Sequence, residues 1–110
     1  MAESRAIDQR GELIERSEHL CIDLLRTDID LAFTFLRLAK TESELGAIPH
    51  ASGLIQKALR AHESILRHLD RAPFRFSDEK PALQQSAQEL FQAITEAKRQ
   101  LSAVREPAES

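Results

Sequence analysis

Seven apolar residues between positions 83 and 104 recur at alternating steps of four and three, and this spacing constrains the fold more than any other feature. They are Leu83, Ala87, Leu90, Ile94, Ala97, Leu101 and Val104. Residues at these steps share one face of an α-helix. Ser77 can cap such a helix, and Pro81 is tolerated in its first turn. The pattern therefore predicts a helix over 78–105 with one apolar seam.

Three further segments, 5–26, 28–45 and 49–71, also place apolar residues at helical spacing. The first carries an apolar line at Ile7, Ile14, Cys21 and Leu25, with Leu13, Leu20 and Leu24 beside it, and charged residues including Glu18 opposite. Thr27 has the character of an N-cap, with Asp30 in the place of a capping-box partner. A break near residue 27 is therefore expected.

The segment 28–45 has more apolar residues than one stripe requires. One face carries Ala32, Phe35, Leu36 and Ala39. This face is extended by Leu31, Leu38 and Leu45, and Phe33 lies to the side with Ile29. Gly46 is a natural stop for this helix, and Pro49 suits the first turn of the next one. Because the connection is tight, we expect the two helices to lie antiparallel.

The composition agrees with a helical fold. The 110 residues include three Gly, four Pro, no Trp and no Tyr, so turn formers and strand-favouring residues are scarce. The length suits one domain. We therefore expect an all-α antiparallel four-helix bundle over 1–105, followed by a disordered tail at 106–110, with Phe74 and Phe76 folding back over the open end of the core.

Charge and cysteine content limit the function classes. The net charge is −3, which argues against a chain that binds nucleic acid or an anionic membrane as a whole. The single cysteine, Cys21, has no partner for an intramolecular disulfide and lies on an apolar line, so an inert core thiol is expected. The amino-terminal residues lack the apolar run of a signal peptide, and no stretch is long and apolar enough to span a bilayer. We expect a cytoplasmic protein.

Four histidines, His19, His50, His62 and His68, raise the question of a metal or phosphotransfer site. His62 and His68 lie about 240° apart around a helix, so they do not converge on one ion. No zinc-protease motif, nucleophile elbow or glycine-rich phosphate loop is present. We therefore expect surface histidines, no metal, no cofactor and no catalytic residues, and an enzyme is not predicted.

The stretch 32–63 resembles one tetratricopeptide repeat, a 34-residue helix–turn–helix unit. The resemblance rests on Phe35, Leu38, Ala39, Gly46, Ile48, Ala51 and Ile55, and on the run Gln56, Lys57, Ala58 and Leu59. The small residues stand where the two helices of such a unit cross, and the large ones fill the space between them. Members of the family commonly bind peptides or other proteins. The resemblance therefore implies a repeat-like hairpin within the bundle and a protein partner.

Positive charge is concentrated in 50–75, which sums to +3 while the other segments are each negative. Lys57, Arg60, Arg67 and Arg71 are spaced so that they form a ridge along one helix face. This basic ridge suits the backbone of a nucleic acid or another polyanion. A solvated helix face with a Glu63–Arg67 pair explains the same pattern without a ligand.

The apolar excess favours self-association. The helix 28–45 and the seam at 83–104 offer more apolar faces than one four-helix chain obviously needs, and a symmetric dimer would pair such a face with itself. The predicted interface consists of Phe33, Leu36, Leu83, Leu90, Phe91, Ile94 and Leu101. The alternative is that another segment of the same chain covers this flank. The leading hypothesis is a non-catalytic protein-interaction or assembly module that forms a homodimer.

Overall fold

The computed structural model describes residues 2–71 and 78–105, with side chains for residues 12, 13, 15–71 and 78–104. These residues form three helices, α1 (Ala2–Glu44), α2 (Ile48–Arg71) and α3 (Lys80–Arg105), and contain no strand. The all-α class is confirmed. The prediction of four helices is wrong, because the segments 5–26 and 28–45 are one continuous helix.

Thr27, the residue expected to start a new helix, lies in the interior of α1. Its hydroxyl donates a 2.9 Å hydrogen bond to the carbonyl oxygen of Asp23, four residues earlier, which is the bond of a mid-helix threonine. An N-cap side chain would instead accept a bond from a later backbone N–H. The buried positions of α1 also pass residue 27 in unchanged phase, so nothing breaks the helix there.

The turn between α1 and α2 follows the sequence prediction. Gly46 has φ +86°, the left-handed conformation that a residue with a Cβ adopts only with strain. Its N–H bonds the carbonyl oxygen of Ser43 at 3.1 Å, and the Ala47 N–H bonds that of Glu42 at 2.8 Å. These two bonds form a Schellman motif that ends α1, and Pro49 follows in the first turn of α2.

Each helix contributes one heptad-spaced seam to a common core. In α1 the seam is Ile22, Leu25, Ile29, Ala32, Leu36 and Ala39; in α2 it is Ala51, Leu54, Ile55, Ala58, His62, Ile65 and Leu69; in α3 it is Leu83, Ala87, Leu90, Ile94 and Leu101. Alternating steps of three and four allow helices to pack side by side with side chains interlocked. The protein is therefore a three-helix coiled-coil-like bundle over its described residues.

Several sequence expectations about α1 need correction. Leu13, Leu20 and Leu24 were expected beside the core but are more than 60% exposed. Ile29, expected to the side, is buried. Glu18, expected on the wet face, is also buried, because it lies one step of four before Ile22 on the core side of the helix.

The start of α3 is tied to the middle of α1. Arg26 forms an ion pair with Glu79, the residue that precedes α3. The helix begins at Lys80, two residues later than expected, and Pro81 lies in its first turn as predicted. The proposed cap at Ser77, the cover formed by Phe74 and Phe76, and the tail 106–110 lie outside the described residues.

Candidate interaction surfaces

Most of the residues predicted to form an interface lie inside the single chain. Leu36 is 9% exposed, and the α3 residues Leu83, Leu90, Ile94 and Leu101 are between 0% and 7% exposed. The seam of α3 faces α1 and α2 at once, so one folded chain already uses it. Leu83, Leu90 and Ile94 are therefore not available to a partner of this bundle, and Leu36 and Leu101 reach the surface only in the groove described next.

The other two predicted residues are reachable. Phe33 is half-buried and lines a groove of about 400 Å³ between α1 and α3, whose floor includes Leu36, Ala97 and Leu101. Phe91 is 50% exposed on α3. Its ring lies 5.3 Å, centroid to centroid, from the ring of His62.

Glu96, which lines the groove, is paired with Arg99 along α3. Arg99 donates from Nε to Glu96 Oε2 at 3.0 Å, one turn away on the same helix. This hydrogen bond, helped by the positive charge of Arg99 and by a bond from Gln100, holds the pKa of Glu96 below its ordinary value. The same pair raises the pKa of Arg99. Glu96 therefore stays ionised at neutral pH, and the groove has an apolar floor with a charged edge.

Six of the nine exposed large hydrophobic side chains among the described residues lie along α1 and the residue that follows it, on the side away from the core. They are Leu13, Leu20, Leu24, Leu31, Leu38 and Leu45, with exposed fractions between 47% and 75%. Thr27, Thr34 and Thr41 lie between these leucines, and from Leu20 to Leu45 the set again alternates by four and three. At 3.6 residues per turn it lies about 160° from the core seam. We call these six leucines and three threonines the outer seam.

The threonines of the outer seam have their hydroxyl groups satisfied by the helix itself. Thr27 and Thr34 donate to the carbonyl oxygens of Asp23 and Asp30 at 2.9 Å, and Thr41 donates to that of Arg37 at 3.2 Å. A hydroxyl bonded in this way can be covered by another molecule without losing a partner. The outer seam can therefore be buried at little polar cost.

The four cations of the basic ridge, Lys57, Arg60, Arg67 and Arg71, are all exposed on α2. None of them forms an ion pair with another residue of the described chain, and the expected Glu63–Arg67 pair is not formed. The ridge therefore presents unneutralised positive charge along about four turns of helix.

The histidines and the cysteine do not assemble a site. His19, His50 and His68 are exposed as expected, but His62 is buried at 6% exposure, so the expectation of a surface residue is wrong there. Its position fits the step of four after Ala58 in the α2 seam. Cys21 is half-buried against the core. Among the described residues, no three His, Cys, Asp or Glu side chains come together as a metal site would require.

Sequence reasoning missed the outer seam because it divided α1 at Thr27. The division separates Leu20 and Leu24 from Leu31, Leu38 and Leu45, and hides their common spacing. A continuous helix would have shown two apolar seams on opposite sides, which is the signal that identifies this surface.

The comparisons with known proteins add no relative. No family model matches the chain, and neither the curated proteins nor the solved structures give a match. None of the described helices combines the length and apolar character that crossing a membrane requires.

Proposed function

We propose that this protein is a non-catalytic interaction and assembly module that associates with itself through apolar helix faces. The observation that carries the proposal is the outer seam, where a helix that already buries one seam leaves a second one in water. A contiguous apolar patch on a folded domain marks a surface that another molecule covers. Two further predictions are compatible with this proposal. They are the tetratricopeptide-like hairpin, whose family commonly binds proteins, and a cytoplasmic location.

The test is the mass of the protein in solution. Sedimentation velocity over a wide range of protein concentrations is expected to show a species of twice the chain mass that dissociates on dilution. A single species of one-chain mass at every concentration would contradict self-association. The variant Phe33→Asp addresses the groove: if the groove is the contact, the dimer is lost, whereas an unchanged mass assigns the contact to another face.

A second candidate function is the binding of a polyanion along the basic ridge. The lack of ion pairs at its four cations within the described chain favours it, since unneutralised arginines and lysines attract phosphate groups and release counterions on binding. Binding of labelled single-stranded and duplex nucleic acid is expected to weaken steeply with salt. The double variant Arg60→Glu with Arg67→Glu should abolish it, whereas Lys98→Glu, which changes an exposed cation of α3, should not.

A further inference from the structure

We infer that the outer seam pairs with the outer seam of a second copy of this chain, and that the two α1 helices run antiparallel. The inference rests on the proposed self-association and deepens it by assigning the face, the orientation and the register. Leu24, Leu31, Leu38 and Leu45 form one file of the seam, and Leu13, Leu20, Thr27, Thr34 and Thr41 form the other. Two such files are the a and d positions of a two-stranded coiled coil.

The sizes of the side chains favour the antiparallel orientation. In a parallel pair, each a or d residue meets its own copy, so three successive layers of the threonine file would be threonine against threonine. An antiparallel pair centred near residue 29 places Leu24 against Thr34 of the second copy, and Leu31 against its Thr27. Leu38 and Leu45 then meet Leu20 and Leu13. Large side chains face small ones in the middle, which fills the interface evenly.

The charges that flank the leucine file favour the same register. Asp23, Asp30, Arg37 and Glu44 each precede a leucine of this file, and Arg16 lies seven residues before Asp23; all five are exposed. The antiparallel register brings Arg37 near Asp23 of the second copy, and Arg16 near its Glu44, each pair formed twice by symmetry. Asp30 meets its own copy in this row, and Asp28 does so on the other flank, against four pairs of opposite charge per dimer. A parallel pair would join Arg37 to Glu42 but would place Asp23 against Asp28.

Most of these flanking charges have no ion-pair partner in their own chain. Arg16, Arg37 and Glu44 make no ion pair within the described residues, although Arg37 donates to Thr34 Oγ1 at 3.0 Å. Asp23 forms a long ion pair with Arg26, at 3.8 Å. The arrangement is self-complementary under a twofold axis, which a symmetric dimer requires. This is the reason for choosing a second copy of the chain over an unrelated helix.

The length of the seam suits a weak, reversible dimer. From Leu13 to Leu45 the helix rises about 48 Å, and a strip of one helix width along it covers about 1,000 Å² when both copies are counted. That area is typical of weak and transient protein–protein interfaces, which bury less than about 1,200 Å². We therefore expect a reversible dimer.

The first experiment tests the face by sedimentation. The double variant Leu31→Glu with Leu38→Glu is expected to weaken dimerisation by about 100-fold or more, because four buried leucines per dimer become carboxylates. The matched control is Leu66→Glu on α2. Leu66 is 47% exposed, as Leu31 and Leu38 are, but lies off the seam. Circular dichroism confirms that each variant remains helical.

The results of this experiment separate the two proposals. Loss of the dimer in the α1 variant alone supports the outer seam. If the Leu31→Glu, Leu38→Glu variant still dimerises, the outer seam is not the contact, although the protein does self-associate. A wild-type protein that is monomeric at every concentration would overturn both. Loss of the dimer in the Leu66→Glu control as well would also overturn the assignment, because the effect would not be specific to the seam.

The second experiment tests the orientation by disulfide cross-linking in a Cys21→Ser background. Chains carrying Leu24→Cys and chains carrying Thr34→Cys are oxidised separately and as a mixture. The antiparallel register predicts that the mixture cross-links much faster than either variant alone. Faster cross-linking of each variant with itself would establish a parallel pair and overturn the register.

Discussion

The same substitution at two glycines is expected to change stability in opposite directions. Gly46 has φ +86° and ends α1, whereas Gly53 lies in the helical interior of α2. A Cβ built at either position would meet no atom within 4 Å, so steric contact does not distinguish the two sites. Backbone conformation alone therefore decides the sign of the effect.

The magnitudes follow from the two conformations. An alanine held in the left-handed region at Gly46 costs about 1–2 kcal/mol. The reduced freedom of the unfolded chain returns about 0.4–1 kcal/mol. Gly46→Ala should therefore lower the free energy of unfolding by about 1 kcal/mol. Gly53→Ala should raise it by about 1 kcal/mol, because alanine is the better helix former.

Thermal denaturation followed by far-UV circular dichroism measures both effects. The two variants should differ in free energy of unfolding by about 2 kcal/mol, which corresponds to about 10 °C between their Tm values. All measurements use one protein concentration, because association makes Tm concentration-dependent. If Gly46→Ala proved as stable as the wild type or more so, the Schellman motif would not be the structure that ends α1, and the separation of α1 from α2 would need another explanation.

Three further measurements test the core and the surface of α2 and α3. Ile65 is fully buried, so Ile65→Ala should lower the free energy of unfolding by about 2–5 kcal/mol in chemical denaturation. Its exposed neighbour offers a control: Leu66→Ala should change the same quantity by no more than about 0.5 kcal/mol, and equal losses would show that the core seam is misassigned. In an NMR pH titration, Arg99→Ala should raise the pKa of Glu96, because the hydrogen bond to its carboxylate is lost. The native pair should stabilise the fold at pH values above the ordinary glutamate pKa, and this stabilisation should be lost as the pH falls through the lowered pKa of Glu96. An unchanged Glu96 pKa in the variant would mean that the pair does not form in solution.

The parts of the fold that the sequence predicts are those with a local physical cause. The α3 seam follows from its period, and the turn follows from Gly46, because only glycine adopts that conformation without strain. The prediction that Thr27 is an N-cap is wrong for an equally local reason. Threonine followed by Asp30 satisfies a capping pattern, but this pattern does not determine whether the backbone is helical at residue 27. The phase of Leu25, Ile29 and Ala32 does say so, since it continues without a shift across residue 27.

The candidate surfaces were harder to predict because they depend on how many helices share the core. With four helices, the seam of α3 has spare faces, so Leu90 and Ile94 look available to a partner. With three helices, the same seam must fill the space between α1 and α2, and both residues are fully or almost fully buried. In a three-helix core, the apolar side chains that remain exposed therefore lie on α1 rather than on α3. The predicted break at Thr27 assigns them to two separate helices and so conceals their common spacing.

The unequal lengths of the helices explain why α1 would need a second chain. Its 43 residues extend about 65 Å, while α2 and α3 run only about 36 and 39 Å beside it. Ile22 is the first buried apolar side chain described on α1, and Leu13 and Leu20 before it are exposed. Most of the stability of a helix in a protein comes from the packing of its apolar face. In the antiparallel register, Leu45 and Leu38 of a second copy lie against Leu13 and Leu20, so each chain would support the part of α1 that its own bundle leaves uncovered.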